Sequence, residues 1–188
     1  MTRWKPNHHY LRADIPRPLC NWLLDTASLT LRLQQLCPGE FRVHVLSQLV
    51  GQPTLSEARA LGMRPGRRAI IRQVQLLCDG RPWVYARTII PMTSLRGRLR
   101  RLAHLGTRPL GGMLFADPGM RREIVELAVI RRGQALHAAA TRGLRTKPEI
   151  IWGRRAVFRI ARKPLLVSEV FLPAFPAASK LPPRWKSS

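Results

Sequence analysis

Residues 69–90 read AIIRQVQLLCDGRPWVYARTII, and the architecture follows from this stretch. A β-rich run from Ala69 to Cys78 meets Asp79-Gly80, and a second run extends from Trp83 to Ile90. Asp-Gly between two such runs is the strongest short-range hairpin signal, because both residues tolerate the positive φ that a two-residue turn demands. The pattern recurs near the end of the chain, where Arg154 to Ile160 and Leu165 to Leu172 predict a second hairpin turning at Ala161-Arg162-Lys163. Phe41, Val43, Val45 and Leu49 alternate with Arg42, His44 and Gln48, which predicts a half-buried strand. Arg122 to Ala128 fits either strand or helix.

Helices fall between these strands. Pro16 and Pro18 introduce a short apolar helix over Leu19 to Leu24. Ser28 stands as N-cap before a second helix that ends at Pro38-Gly39. One helical turn is expected around Ser56 to Leu61. Leu95, Leu99, Leu102 and Leu105, with Arg96, Arg98, Arg100 and Arg101 between them, predict an amphipathic basic helix. Thr107-Arg108-Pro109 opens another short helix that reaches Phe115. The expected fold is a single α+β domain, residues 16–173, with an antiparallel sheet and helices covering one face. Residues 1–15 read as a loose arm, 131–149 as an excursion with a helix over 134–141, and 174–188 as a disordered Pro-, Ala- and Ser-rich tail.

The 188 residues include 33 Lys+Arg against 10 Asp+Glu, for a formal charge of +23, and all but five of the 33 are Arg. An Arg-rich surface suits phosphate or carboxylate partners, which the planar guanidinium grips with two donors. No run approaches the roughly 18 apolar residues of a membrane span. Met1 to Asp14 holds no apolar core of a secretion signal, so a cytoplasmic protein is expected. Cys20, Cys37 and Cys78 are odd in number and widely separated, and read as reduced, structural residues. The five His show no metal-ligand spacing, and no metal or cofactor is expected. Phosphate-loop, dinucleotide, serine-hydrolase and zinc-protease motifs are all missing from the sequence.

Strand alternation singles out two charges. Ile70, Arg72, Val74 and Leu76 share one face of the first hairpin strand, and Leu165, Val167, Glu169 and Phe171 share one face of the last. A charge among aliphatic residues costs several kcal/mol unless it is paired, so such positions are seldom idle. Three explanations stand: a structural Arg72–Glu169 ion pair, a face that is solvated after all, or a cavity whose polar end takes a small anionic ligand bearing a hydroxyl. The free backbone N–H groups at the helix starts, Leu29 and Leu110, are donors suited to a carboxylate. Arg87, beside Tyr85, is a candidate second cation near the mouth.

Leu76-Leu77-Cys78-Asp79-Gly80-Arg81-Pro82-Trp83, Arg87-Thr88, Thr107-Arg108-Pro109-Leu110-Gly111, Ile151-Trp152-Gly153-Arg154-Arg155 and Lys163-Pro164-Leu165-Leu166-Val167-Ser168-Glu169-Val170-Phe171-Leu172-Pro173 together resemble the bacterial chorismate pyruvate-lyases, with the blocks in the same order from about residue 10 to 176. The resemblance implies an antiparallel sheet closing over a buried ligand cavity under two flaps. It implies a cofactor-independent carbon–oxygen lyase that converts chorismate to 4-hydroxybenzoate and pyruvate, the first committed step towards ubiquinone. On this basis Arg72 and Glu169 are the polar and catalytic side chains, Leu29 and Leu110 supply backbone amides, and Arg87 lies in a flap. Leu29 stands where the family often has Met, Ala86 where it often has Gly, and residues 131–149 look inserted.

Two rival functions come from other classes. The same fold serves, by analogy, as the ligand-sensing half of bacterial transcription regulators, but the roughly 15 residues before the first helix are too few for their winged-helix domain. A direct nucleic-acid binder working through Arg96 to Arg101 and the 131–149 segment would use the positive charge. The lyase reading expects a monomer acting on chorismate, with neither a membrane span nor nucleic acid as its partner.

Overall fold

The computed structural model describes residues 1–180, and all of its strands belong to one antiparallel sheet. In chain order the elements are β1 (Lys5–Pro6), α1 (Arg17–Leu23), α2 (Leu29–Leu36), β2 (Phe41–Gly51), α3 (Leu55–Ala60), β3 (Ala69–Cys78), β4 (Arg81–Pro91), α4 (Leu110–Phe115), β5 (Arg121–Arg122), β6 (Glu126–Arg131), α5 (Ala135–Ala140), β7 (Ile150–Ile160) and β8 (Lys163–Phe171). The sheet order is β1-β6-β7-β8-β4-β3-β2, with β5 pairing on β7. The two hairpins are therefore the middle of the sheet, joined through β4 and β8.

Both turns carry the backbone that their residues permit. Asp79 and Gly80 lie at φ 47° and 72°, as the Asp-Gly signal requires. Ala161 and Arg162 adopt φ 47° and 62° in the second hairpin.

The main core lies on one face of the sheet, beneath α1, α2, α4 and the segment Gly97–His104. That segment is a 3-10 helix and not the α-helix its amphipathic pattern suggests. The reason lies in its spacing: Leu99, Leu102 and Leu105 recur every three residues, so a three-residue turn buries all of them. On the opposite face α5 packs Leu136 and Ala139 against Tyr85, Ala128 and Val170, while Leu61 beyond α3 joins a smaller cluster around Ile89 and Leu166. The 131–149 excursion thus helps to cover the second face.

Four expectations need correction. The arm 1–15 is tied down: Lys5 pairs with Leu127 on the sheet edge, Thr2 Oγ1 donates to Gln134 Oε1 at 2.9 Å, and the Trp4 ring lies 4.9 Å beneath the Arg155 guanidinium. An edge strand with unpaired donors and acceptors offers the arm this seat. The tail is ordered at its start, because Phe175 is fully buried against Trp22, Trp83 and Phe171, a burial that contributes on the order of 2 kcal/mol. The remainder of that tail, 181–188, lies outside the described residues.

Cys37 and Cys78 form a disulfide, not two reduced thiols, whereas Cys20 is free and buried. Cys37 precedes β2 and Cys78 ends β3, so antiparallel pairing brings Cα atoms 41 residues apart in sequence to 5.7 Å. Finally, β2 does not keep one phase. Val45 faces Val74 and Ser47 faces Gln73, so Leu46 is an extra residue, and beyond it Gln48 joins the core side while Leu49 is 70% exposed.

Candidate active site

Alternation along the central strands builds the floor of a cavity. Arg72, Val74 and Leu76 on β3, Ala86 and Thr88 on β4, Val167 and Glu169 on β8, and Arg154 and Phe158 on β7 all line it. Its roof is the start of α2, residues 27–30, together with Pro109, Leu110, Gly111, Leu114 and Phe115 from α4 and its approach. The apolar walls suit a flat ring, and the polar groups gather in two places.

At the first, Arg72 is 2% exposed, and its Nη2 donates to the carbonyl oxygens of Gly106 at 2.9 Å and Arg108 at 3.4 Å. Its Nε is buried without a hydrogen-bond partner among the described residues, and burial pulls the guanidinium below its ordinary pKa. The Arg108 carbonyl lies two residues before Leu110, which brings Arg72 to the start of α4. The two helix starts also meet: a Cβ on Gly111 would lie 3.0 Å from both Ser28 Oγ and Thr30 Oγ1. Ser28 caps α2 by accepting from Leu31 N–H at 3.5 Å. The N–H groups of Leu29 and Leu110 open their helices and have no acceptor within them. A guanidinium and two outward amides make a place for an anion.

At the second, Glu169 and Arg154 are direct cross-strand partners between β8 and β7. Arg154 Nε donates to Glu169 Oε2 at 2.6 Å, and its Nη1 donates to the carbonyl oxygens of Trp22 and Asp25, both at 2.7 Å. The guanidinium is only 1% exposed. Arg122 completes this group, for its Nη1 donates to the Asp25 carbonyl at 3.2 Å and its charge lies 5.2 Å over the Phe158 ring. Among the described residues, the hydrogen bond to Glu169 goes to Oε2.

The structure thus brings Arg72, Glu169, Leu29 and Leu110 into one cavity, and the Arg72–Glu169 ion pair does not form. In the sheet the two residues sit two strands apart and one two-residue step along, about 12 Å between their Cα atoms, so only their side chains converge. Arg87 is not with them. Ala86 and Thr88 face the cavity, so Arg87 between them points to the other face, where its Nε and Nη2 donate to Glu57 at 2.7 and 3.2 Å. It lines a separate cavity there, with Trp4, Ser56, Arg155 and Ser168. Arg154 and Arg122 were not singled out from the sequence. The alternation that exposed Arg72 also places Arg154 on the face of Trp152, Ala156 and Phe158, whereas the two-residue β5 is too short to show a period.

Among the described residues one group has metal-ligand proximity, Cys37, Cys78 and Asp79, and the disulfide occupies two of its three donors. No helix among these residues is long and apolar enough to cross a membrane.

A family model described as chorismate lyase matches residues 4–179. The chain belongs to the chorismate lyase family. The probable chorismate pyruvate-lyase of Azoarcus sp. (strain BH72) is 46% identical over 162 residues, covering 84% of this chain and 85% of that protein. That of Methylococcus capsulatus is 42% identical over 154 residues, covering 82% and 94%. Among solved structures, the ligand-binding domain of a putative GntR-family transcriptional regulator from Bordetella bronchiseptica shares the fold, with a TM-score of 0.51 at 20% identity over 72% of this chain and 86% of that one. The chorismate lyase match runs through the arm, the 131–149 excursion and the buried Phe175, so all three belong to the matched domain.

Proposed function

We propose that this protein is a chorismate pyruvate-lyase that converts chorismate to 4-hydroxybenzoate and pyruvate in the cytoplasm, as a monomer. One observation carries the reading: a single apolar cavity holds a buried guanidinium without a counter-ion beside two helix starts, and a carboxylate apart from them. A ring with a carboxylate at C1 and a hydroxyl at C4 presents complementary groups at its two ends. The Leu29 and Leu110 amides take the ring carboxylate. Glu169, steadied by Arg154, accepts from the C4 hydroxyl.

The reaction breaks the C3–O bond, with the electron pair passing to oxygen, and removes the proton on C4. The enol of pyruvate so released gains a proton at its methylene carbon. The ring becomes aromatic, so the step is downhill, and positioning with electrostatic stabilisation supplies the catalysis. Arg72, whose Nε has no other partner, stabilises negative charge on the departing enolpyruvyl oxygen. The protein's strong positive charge draws the dianionic substrate towards the cavity.

Mixing purified protein with chorismate and following 4-hydroxybenzoate absorbance tests the activity directly. Arg72→Ala and Glu169→Gln are expected to fold and to lose most of kcat/KM, and near-parental values in both would defeat the assignment. Tight binding of 4-hydroxybenzoate without any turnover of chorismate would instead favour a sensing role.

A further inference from the structure

Chorismate carries two carboxylates and 4-hydroxybenzoate only one, so a lyase site must meet an anion that afterwards leaves with pyruvate. Three guanidiniums line the cavity, from Arg72, Arg122 and Arg154, against the one carboxylate of Glu169. Arg154 is matched to Glu169, and Arg72 is anchored beside the start of α4. Arg122 is left over. Among the described residues its Nε is buried with no hydrogen-bond partner, and its one hydrogen bond is to the Asp25 carbonyl.

Its place in the sheet is specific. Arg122 pairs with Phe158 across β5 and β7, so its side chain shares the cavity face. Arg122 and Arg154 both donate to the same Asp25 carbonyl, which fixes Arg122 at the Glu169 end of the cavity. In chorismate the enolpyruvyl ether leaves the ring at C3, next to the C4 hydroxyl. A substrate whose hydroxyl rests on Glu169 therefore sends its enolpyruvyl group towards Arg122.

We infer that Arg122 is the substrate-binding residue for the enolpyruvyl carboxylate, and that it releases this anion with pyruvate; the inference rests on the lyase reading above. Burial and the neighbouring Arg154 charge pull the Arg122 pKa down by more than the nearby Glu169 and Asp25 carboxylates raise it, so an incoming carboxylate relieves a cost already present in the site. The product retains no group for this guanidinium. Arg122 consequently discriminates substrate from product, a role the helix-start amides cannot play, since both molecules carry the ring carboxylate.

Arg122→Gln and Arg122→Lys test this against two ligands. With chorismate, Arg122→Gln is expected to lower kcat/KM roughly 10- to 100-fold, the range for losing one charged hydrogen bond, mostly through KM. Its dissociation constant for 4-hydroxybenzoate should stay at the parental value, which also verifies that the variant folds. Arg122→Lys, which keeps the charge, should recover part of the loss. The inference fails if Arg122→Gln retains parental kcat/KM, or if it weakens 4-hydroxybenzoate as much as chorismate. Absence of turnover by the parent protein would overturn the lyase reading itself, and the inference with it.

Discussion

The two faces of the central sheet bury the same kind of charge and treat it differently. Facing α3 and α5, Arg87 is bound by Glu57 through two hydrogen bonds, and Arg155 by Glu126 with a further donation to Ser56 Oγ. Facing α2 and α4, Arg72 and Arg122 reach only backbone carbonyls, and each keeps a buried Nε without an acceptor. The pKa directions follow. Burial alone depresses Arg72, whereas at Arg87 burial acts the same way and is outweighed by the hydrogen bond and charge of Glu57, leaving its pKa raised. On the face of α3 and α5 both of these guanidiniums have a carboxylate and are structure; on the cavity face Arg154 has Glu169, and Arg72 and Arg122, each without a hydrogen-bonded carboxylate among the described residues, are open positions for an anion.

Paired substitutions can break this contrast. Arg72→Met is expected to cost about 100- to 1000-fold in kcat/KM, the effect of removing one preorganised charged donor, while leaving the thermal midpoint unchanged or higher because a buried, uncompensated charge is gone. Arg87→Met should do the reverse, losing about 3 kcal/mol in urea unfolding because Glu57 is stranded, with kcat/KM unchanged. If the two variants behave alike in both measurements, the faces are not distinct.

Acid sharpens the same contrast. Burial raises the Glu57 pKa, but Arg87 and the Thr54 donors outweigh it and hold it below the ordinary carboxylate value. A folded pKa below the unfolded one gives stability that is complete above about pH 4.3 and is lost as pH falls through the folded value. Urea midpoints measured from neutral pH down to about 3 should therefore fall less steeply in Glu57→Gln than in the parent. The smallest effect is expected at Gly111→Ala. Its Cβ would press on Ser28 and Thr30 from 3.0 Å and spread the two helix starts, so the chorismate KM should rise a few-fold with kcat little changed.

Much of this could be read from residue order. The Asp79-Gly80 turn, the inward Arg72 and Glu169, and the starts at Leu29 and Leu110 each rest on local rules: turn conformation, a two-residue period, capping. What escaped reading depends on partners distant in the chain. Nothing near Arg87 announces that Glu57 waits across the sheet, and nothing near Cys37 announces Cys78. Arg122 sits on a strand of two residues that exists only because β7 offers it an edge. Trp4 and Phe175 looked like parts of unanchored termini because the surfaces that receive them are assembled from the middle of the chain.

The extra residue at Leu46 acts as a parity shift. Ahead of it, odd-numbered residues of β2 look towards the cavity side; behind it, even-numbered ones do, which turns Gln48 inward opposite Arg72 and lets its side-chain amide reach the Ala103 carbonyl at 2.5 Å. Deleting that single position would restore an unbroken alternation and look harmless in an alignment. It would leave Ser47 opposite Gln73, Gln48 inward opposite Arg72 and Leu49 outward, and would remove only the local bend and added twist of the bulge. Had Leu46 instead taken the place opposite Gln73, Ser47 and Leu49 would turn inward and Gln48 would lose the Ala103 carbonyl, so the bulge itself is what ties β2 to the basic 3-10 segment.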